Sequence, residues 1–274
     1  MDIDGDVRVE GILSLLEHRG QVSVSELATQ FGVSAVTIRK DLEALERKAL
    51  LQRVRGGARP RASEDEGSFT ERLGRAAGAK RAIARHAATF VHNGDVIALD
   101  SSTSAYFLAL ELLTRRDLVV VTNSLRTAMV LSEDSDATVV LLGGTVRRMA
   151  TSTVGDISDV LVGRGRIGKA FTGLAALSFE RGLLELSSAE AESKRAMMQA
   201  SREVYALFES AKADAFGLHS FAASDRVTRL ITDTDFSDDD VARWKSAGVD
   251  VDRCRVGSGG LRPGTEPAPL ADVG

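Results

Sequence analysis

From Gly94 to Val251, short apolar runs alternate with stretches of helical period, and this alternation constrains the chain more than any other feature. The runs are VIALD (96–100), LVVVTN (118–123), TVVLLGG (138–144), KAFTG (169–173), VYALF (204–208), LITD (230–233) and VDV (249–251). Between them the spacing predicts helices through Leu108 to Leu113, through Met129 and Leu131, near Ile157 to Val162, from Ser188 to Ala200 and from Asp238 to Ala247. Such runs lack a polar face, so both sides of their sheet must be covered. The predicted fold class is α/β, a Rossmann-like parallel sheet with helices on both faces. Just ahead of it, "ERLGRAAGAKRAIARHAATFV" reads as one helix with Ile83, Ala87, Phe90 and Val91 inward and its basic residues on a solvated face. After Val256 the Gly- and Pro-rich tail is expected to be disordered.

The 274 residues leave room for a second domain in front of that sheet. Cys254, the single cysteine, excludes an internal disulfide, and His18, His86, His92 and His219 match no zinc spacing. Neither a metal nor a cofactor is expected. The N-terminus, MDIDGD, is acidic and unlike a signal peptide, and no apolar run is long enough for a bilayer. A cytoplasmic protein with no membrane partner is the expectation.

Near the N-terminus Val7, Ile12, Leu13, Leu15 and Leu16 form a helical stripe that Gly20 ends. Ser23 followed by Glu26 is a capping box, opening a short helix from Ser25 to Phe31 that stops at Gly32. Ser34 caps a third helix, whose Ile38, Leu42, Leu45 and Ala49 share one buried face. Its other face carries Val36, Thr37, Lys40 and Arg47, flanked by Arg39. Leu50 to Val54 and Ala58-Arg59 read as two strands joined at Arg55-Gly56-Gly57. A helix, a glycine turn, a second helix with a cationic face and a hairpin wing together describe a winged helix-turn-helix, whose second helix enters the major groove.

Charge agrees. The chain has a formal net charge of −4, yet Ser34 to Arg61 holds eight basic residues against three acidic ones. A local basic patch on an acidic protein is the footprint of a nucleic-acid site. The residues expected at double-stranded DNA are Ser34, Val36, Thr37, Arg39, Lys40, Arg47, Arg53, Arg55, Gly56 and Gly57, the two glycines letting the wing tip approach a phosphate closely. The expected organisation is a DNA-binding domain over 1–60, a linker over 61–76, a sensing domain over 77–256 and a tail over 257–274.

Ligands of open parallel sheets bind beyond the carboxyl ends of the strands. There the sequence places Asp100-Ser101-Ser102-Thr103-Ser104, Thr122-Asn123-Ser124 and Gly143-Gly144-Thr145, with Arg147 close behind. Hydroxyls and helix N-terminal amides at three such ends favour an anion. Glu190 and Lys194, four apart, share one helix face.

The stretch "SVSELATQFGVSAVTIRKDLEALERKALLQRVRGGA" resembles the winged helix-turn-helix of DeoR-type bacterial regulators, and "VVTNSL", "LLGGTVRR", "KAFTG" and "EAESKRAM" resemble the sensor domain of the same family. The resemblance implies a sensor with the sugar-phosphate isomerase and CoA-transferase fold, a phosphorylated sugar as effector and a homo-oligomer acting as a repressor on a carbohydrate operon. It implies an effector pocket of Asp100, Ser102, Thr103, Asn123, Gly143, Gly144, Glu190 and Lys194, with Arg147 beside it. Lys194 would then hold phosphate, and Lys194→Ala would bind DNA yet ignore the effector. The chain departs from the family pattern at Ala49, Arg55, Ser102, Gly168, Leu184 and Glu209, while Lys212 is retained. A competing reading is a sugar-phosphate isomerase with a DNA-binding appendage. That chemistry needs a close acidic cluster, and the sequence displays none next to the loops.

Overall fold

The computed structural model describes residues 5–19, 21–47, 51–60, 67–155, 167–213 and 215–256. Helices α1 (Gly5–Arg19), α2 (Val24–Phe31) and α3 (Ala35–Arg47) make the first unit. The Ser23 side chain caps α2 through the Glu26 N–H, the capping box is complete, and Gly32 ends the helix at φ 65. Ser34 Oγ accepts from the Thr37 N–H at 3.1 Å, starting α3. Ile38, Leu42 and Leu45 face inward as their spacing requires and pack on Ile12, Leu16 and Leu27. Ala49 lies outside the described residues.

The wing has a strand more than the sequence suggested. β2 (Leu51–Val54) and β3 (Gly57–Pro60) form the hairpin, and the two-residue β1 (Val22–Ser23) pairs with β3 on its other side. This reassigns one glycine. A Cβ on Gly57 would stand 2.0 Å from the Val22 carbonyl oxygen, so Gly57 is bare because β1 passes against it. Gly57 is buried, so the close approach it permits is that of β1. Gly56, exposed at φ +86 with open space around its Cβ position, is the tip.

The second unit is built on a seven-stranded parallel sheet: β4 (Val96–Leu99), β5 (Val119–Thr122), β6 (Thr138–Leu141), β9 (Ile167–Thr172), β12 (Ser201–Leu207), β14 (Arg229–Asp233) and β15 (Asp250–Cys254), in the order β15-β14-β12-β9-β4-β5-β6. Period-2 alternation sorts its residues between two cores. Ile97, Leu99 and Phe171 pack with α5 (Ala77–Ala87), α6 (Thr103–Glu111) and α7 (Leu125–Asp134). Ala98, Ala170 and Val204 pack with α8 (Ser188–Gln199) and α9 (Asp238–Ser246) through Met197 and Trp244.

Two expectations change. The single helix before the sheet is two, α4 (Phe69–Gly74) and α5, broken where Ala76 adopts φ 49, and it finishes as a 3-10 turn at Ala88–Phe90. Two small antiparallel sheets, unseen in the sequence, flank the strand ends: β7 (Thr145–Arg147) with β8 (Ser152–Val154), and β10 (Ala176–Ser178), β11 (Gly182–Glu185) and β13 (His219–Ala222) in line. The helix expected near Ile157 to Val162 and the expected disordered tail lie outside the described residues.

The two units touch. Phe216 and Leu218, just before β13, pack against the core that contains Ile12, Leu16 and Leu27.

Candidate functional site

On the first unit, Ser34, Val36, Arg39, Lys40, Arg47, Arg53, Arg55 and Gly56 are exposed and Thr37 is half-buried. Val36 is 58 % exposed, unusual for a valine with no contact to make. Neither Arg39, Lys40, Arg47, Arg53 nor Arg55 forms an ion pair with a described residue. Two of the three acids nearby are committed instead, and the third, Glu43, is exposed on α3. Asp41 binds Arg8 at 2.7 Å, and Glu46 Oε1 accepts the Arg53 main-chain N–H at 2.9 Å, tying the wing to α3. A face of α3 with cations in excess of its one exposed acid, Glu43, and an arginine at each side of the wing tip suit a phosphate backbone.

On the second unit a cavity of about 280 Å³ opens at the carboxyl ends of β4, β9 and β12. Its wall includes the loop Ser101–Ser104, Gly173, Glu185, Glu190 and Lys194. Asp100 lies directly beneath, fully buried. Asp100 Oδ1 accepts from Ser102 N (3.0 Å) and Ser102 Oγ (2.5 Å), and Oδ2 from Thr172 Oγ1 (2.8 Å) and Gly173 N (3.0 Å). Ser102 Oγ also caps α6 through the Ala105 N–H at 3.1 Å. Its φ of −72 does not call for the glycine of the family pattern. Space is made from the other side, since a Cβ on Gly173 would stand 2.4 Å from Ser102 Cβ. The first turn of α6 leaves the N–H groups of Thr103 and Ser104 without an intrahelical acceptor.

Lys194 is not a free cation. Its ammonium binds Asp100 Oδ2 at 2.9 Å, the Gly173 carbonyl at 2.9 Å and Glu185 Oε1, which uses all three of its protons. Burial would lower its pKa, but the carboxylates of Asp100, Glu185 and Glu190 outweigh that and hold it well above the ordinary lysine range. Glu190, 3 % exposed, is joined to Arg147. The close acidic cluster that the sequence did not display therefore exists, as Asp100, Glu185 and Glu190, and Lys194 and Arg147 offset two of its three charges.

The expected convergence of three loops is only partly met. Asn123 is buried and donates Nδ2 to the Thr153 carbonyl at 2.9 Å, outside the cavity wall. Gly143 and Gly144 also lie off that wall. Gly144, at φ 134, is bare because a Cβ there would meet the Val154 carbonyl oxygen at 2.4 Å. These residues shape the β7–β8 hairpin, whose Arg147 reaches Glu190. Leu184, another departure, packs on Gly217 and not on the cavity.

The sequence missed the cations at the mouth. Arg75 and Lys212 line the cavity, exposed and half-buried respectively, and neither forms an ion pair with a described residue. Lys80, read as part of a solvated face, is 5 % exposed. It donates to the carbonyls of Arg72 and Arg75 at 2.6 and 2.8 Å and pairs with Glu209 at 3.1 Å. Burial holds its pKa below the usual lysine value, with Glu209 opposing.

A short path leads from the cavity to the first unit. The Leu218 N–H donates to the Glu185 carbonyl at 2.9 Å, while Arg181 binds the carbonyls of Gly217 and Leu218 at 3.2 and 2.6 Å. Glu185 thus holds Lys194 with its side chain and, with its main chain, the loop whose Phe216 and Leu218 pack on the helix-turn-helix core.

Comparison with known proteins agrees with both units. Residues 8–64 match the DeoR-like helix-turn-helix domain and residues 75–234 the DeoR C terminal sensor domain. The HTH-type transcriptional regulator GolR of Listeria innocua is 31% identical over 89% of this chain and 96% of its own. The L-fucose operon activator of Haemophilus influenzae is 32% identical, covering 84% and 93%. The glycerol-3-phosphate regulon repressor of Escherichia coli is 29% identical, covering 82% and 90%. Among solved structures, ribose 5 phosphate isomerase A from Neisseria gonorrhoeae aligns with 50% of this chain and 53% of its own at 13% identity, with a TM-score of 0.35, too low to carry an argument. The relatives spanning most of the chain are regulators, not enzymes. With both of its units matched in order, the chain belongs to the DeoR family of DNA-binding transcriptional regulators.

Proposed function

We propose that this regulator acts in the cytoplasm as a homo-oligomeric repressor of a carbohydrate operon and leaves its operator when a phosphorylated sugar enters the cavity above Asp100. The observation that carries this reading is the charge layout of the cavity: buried carboxylates at its base, and a helix N-terminus with two uncommitted cations at its rim. The phosphate sits against the Thr103 and Ser104 amides, with Lys212 and Arg75 supplying charge. The sugar hydroxyls turn inward to donate to Glu185 and Glu190, which line the wall, while Asp100 beneath them is already filled by its own donors. Lys194 keeps those carboxylates together and is not the phosphate ligand. Relatives named as repressors of the glycerol-3-phosphate regulon and the aga operon support repression over activation, although one relative is named an activator.

Release needs only a modest preference of the ligand for one domain arrangement. A tenfold loss of DNA affinity corresponds to about 1.4 kcal/mol. The Glu185–Leu218 link gives that preference a route to the reading helices. The test is fluorescence anisotropy on the DNA upstream of the protein's own gene, titrated with a panel of sugar phosphates and their neutral parent sugars. A phosphorylated sugar that lowers affinity at least tenfold, with its parent inert, is the expected result. Release by neutral sugars alone would refute the anionic site.

A further inference from the structure

The seven-stranded sheet has two edges, and they differ. β15 is guarded as an exposed edge should be: Asp250 and Arg253 are exposed, Asp250 and Asp252 bind Arg229, and Arg253 binds Asp238. β6, sequence TVVL, carries no charge at all. Val140 is 39 % and Leu141 44 % exposed, and beside them Met129 on α7 and Val146 on β7 are 48 % and 52 % exposed. These are most of the large hydrophobic residues exposed among those described: Val140 and Leu141 on the two faces of β6, Met129 on the helix that packs against it and Val146 on the strand that follows it.

Part of the main chain there also has no partner among the described residues. Thr138 N donates to the Leu118 carbonyl and Leu142 N to the Thr122 carbonyl, so Thr138, Val140 and Leu142 point their main-chain groups toward β5. By the period of a strand, Val139 and Leu141 point theirs outward, and among the described residues no strand lies beyond them.

We propose that β6 pairs antiparallel with β6 of a second copy of this chain about a two-fold axis at Val140, making one continuous sheet across the dimer. Val139 of each copy then faces Leu141 of the other, and each such pair exchanges both of its main-chain hydrogen bonds. Val140 meets Val140 on one face, as a close non-hydrogen-bonded pair. Charge selects the antiparallel sense and a second copy. The exposed acids Asp134 and Asp136 stand before β6, and the exposed Arg148 lies after it, in the turn of the β7–β8 hairpin. Antiparallel pairing brings Asp136 of one copy opposite Gly144 of the other, on the approach to its Arg148, whereas parallel pairing would set like charges together. A two-fold interface needs only this one surface, since it complements itself. The inference stands on the edge alone and is read by mass, so it survives or fails independently of the effector.

The experiment uses the full chain. Sedimentation equilibrium should give wild type at least the mass of a dimer, and Val140→Lys half the wild-type mass, with an unchanged circular dichroism spectrum because the site is exposed in the single copy. Val140→Cys tests the register directly. Cys residues in such a pair lie within disulfide reach, so the variant should form a covalent dimer under mild oxidation. Met129→Cys should not, and the buried Cys254 gives little background. A monomeric wild type, an undiminished mass for Val140→Lys, or equal cross-linking by Met129→Cys would each overturn the proposal.

Discussion

The reading helix and the sensor cavity both concentrate charge, but they hold it in opposite ways. On α3 and the wing the cations are exposed and form no ion pair with a described residue, while Asp41 and Glu46 beside them are engaged elsewhere. In the cavity Lys194 is 3 % exposed and surrounded by acceptors. The difference teaches that a cation in a binding wall need not be a ligand. What matters is whether its protons are already spoken for. Lys194 is part of the architecture, and under the proposed function recognition falls to Lys212, Arg75 and the α6 amides.

The contrast predicts a hierarchy of effects. Lys194→Met should be the most damaging, because it strands Asp100 and Glu185 as buried charges without a counter-ion. Losing one partner of such a cluster costs about 3–5 kcal/mol, and thermal unfolding followed by circular dichroism should show it as a drop in melting temperature. A variant that melts like wild type and merely ignores the effector would return Lys194 to the role the family resemblance gave it.

Gly57→Val comes next. Its side chain must displace β1, at a cost of about 1–3 kcal/mol typical of overpacking, so the wing should loosen and DNA binding weaken at every sequence. Gly56→Val, whose side chain meets only open space, should lose less, mainly the strain of a left-handed backbone. Equal losses would mean that the β1 contact does not set the wing.

Lys212→Ala should leave folding and DNA affinity intact. It should raise the sugar phosphate concentration needed for half-release by about tenfold, or about 1.4 kcal/mol. Unchanged release would move the phosphate elsewhere in the cavity. The smallest effect belongs to Arg55→Ala. Losing one phosphate contact should flatten the slope of log affinity against log salt by about 0.9 without altering preference among operators. Thr37→Ala, on the groove face of α3, should instead change that preference.

The large elements were legible because period is a local signal. Ile38, Leu42 and Leu45 announce their helix face, and VVVT or VIAL announces a strand whatever follows. The charged cluster was not legible. Asp100, Thr172, Glu185 and Lys194 meet only after three separate strand ends are brought together, and Glu185 sits in "GLLEL", where its neighbours suggest nothing polar. Lys80 looked like one more surface lysine, since the carbonyls that bury it belong to a helix break marked only by Ala76. Gly57 was misread for a related reason. A strand of two residues, Val22 and Ser23, is too short to leave a pattern.

The contact of Phe216 and Leu218 with the helix-turn-helix core bears on transplantation. A reader cut off at the linker would lose two apolar side chains that help cover its core, and would show water a patch it normally hides. A chimera joining this sensor to a different reader would inherit the loop without the surface it fits. Exchange between relatives should therefore treat residues 213–218 and their docking surface as one part: moved together they keep a hybrid responsive, and moved separately they leave two sound halves that no longer hear each other.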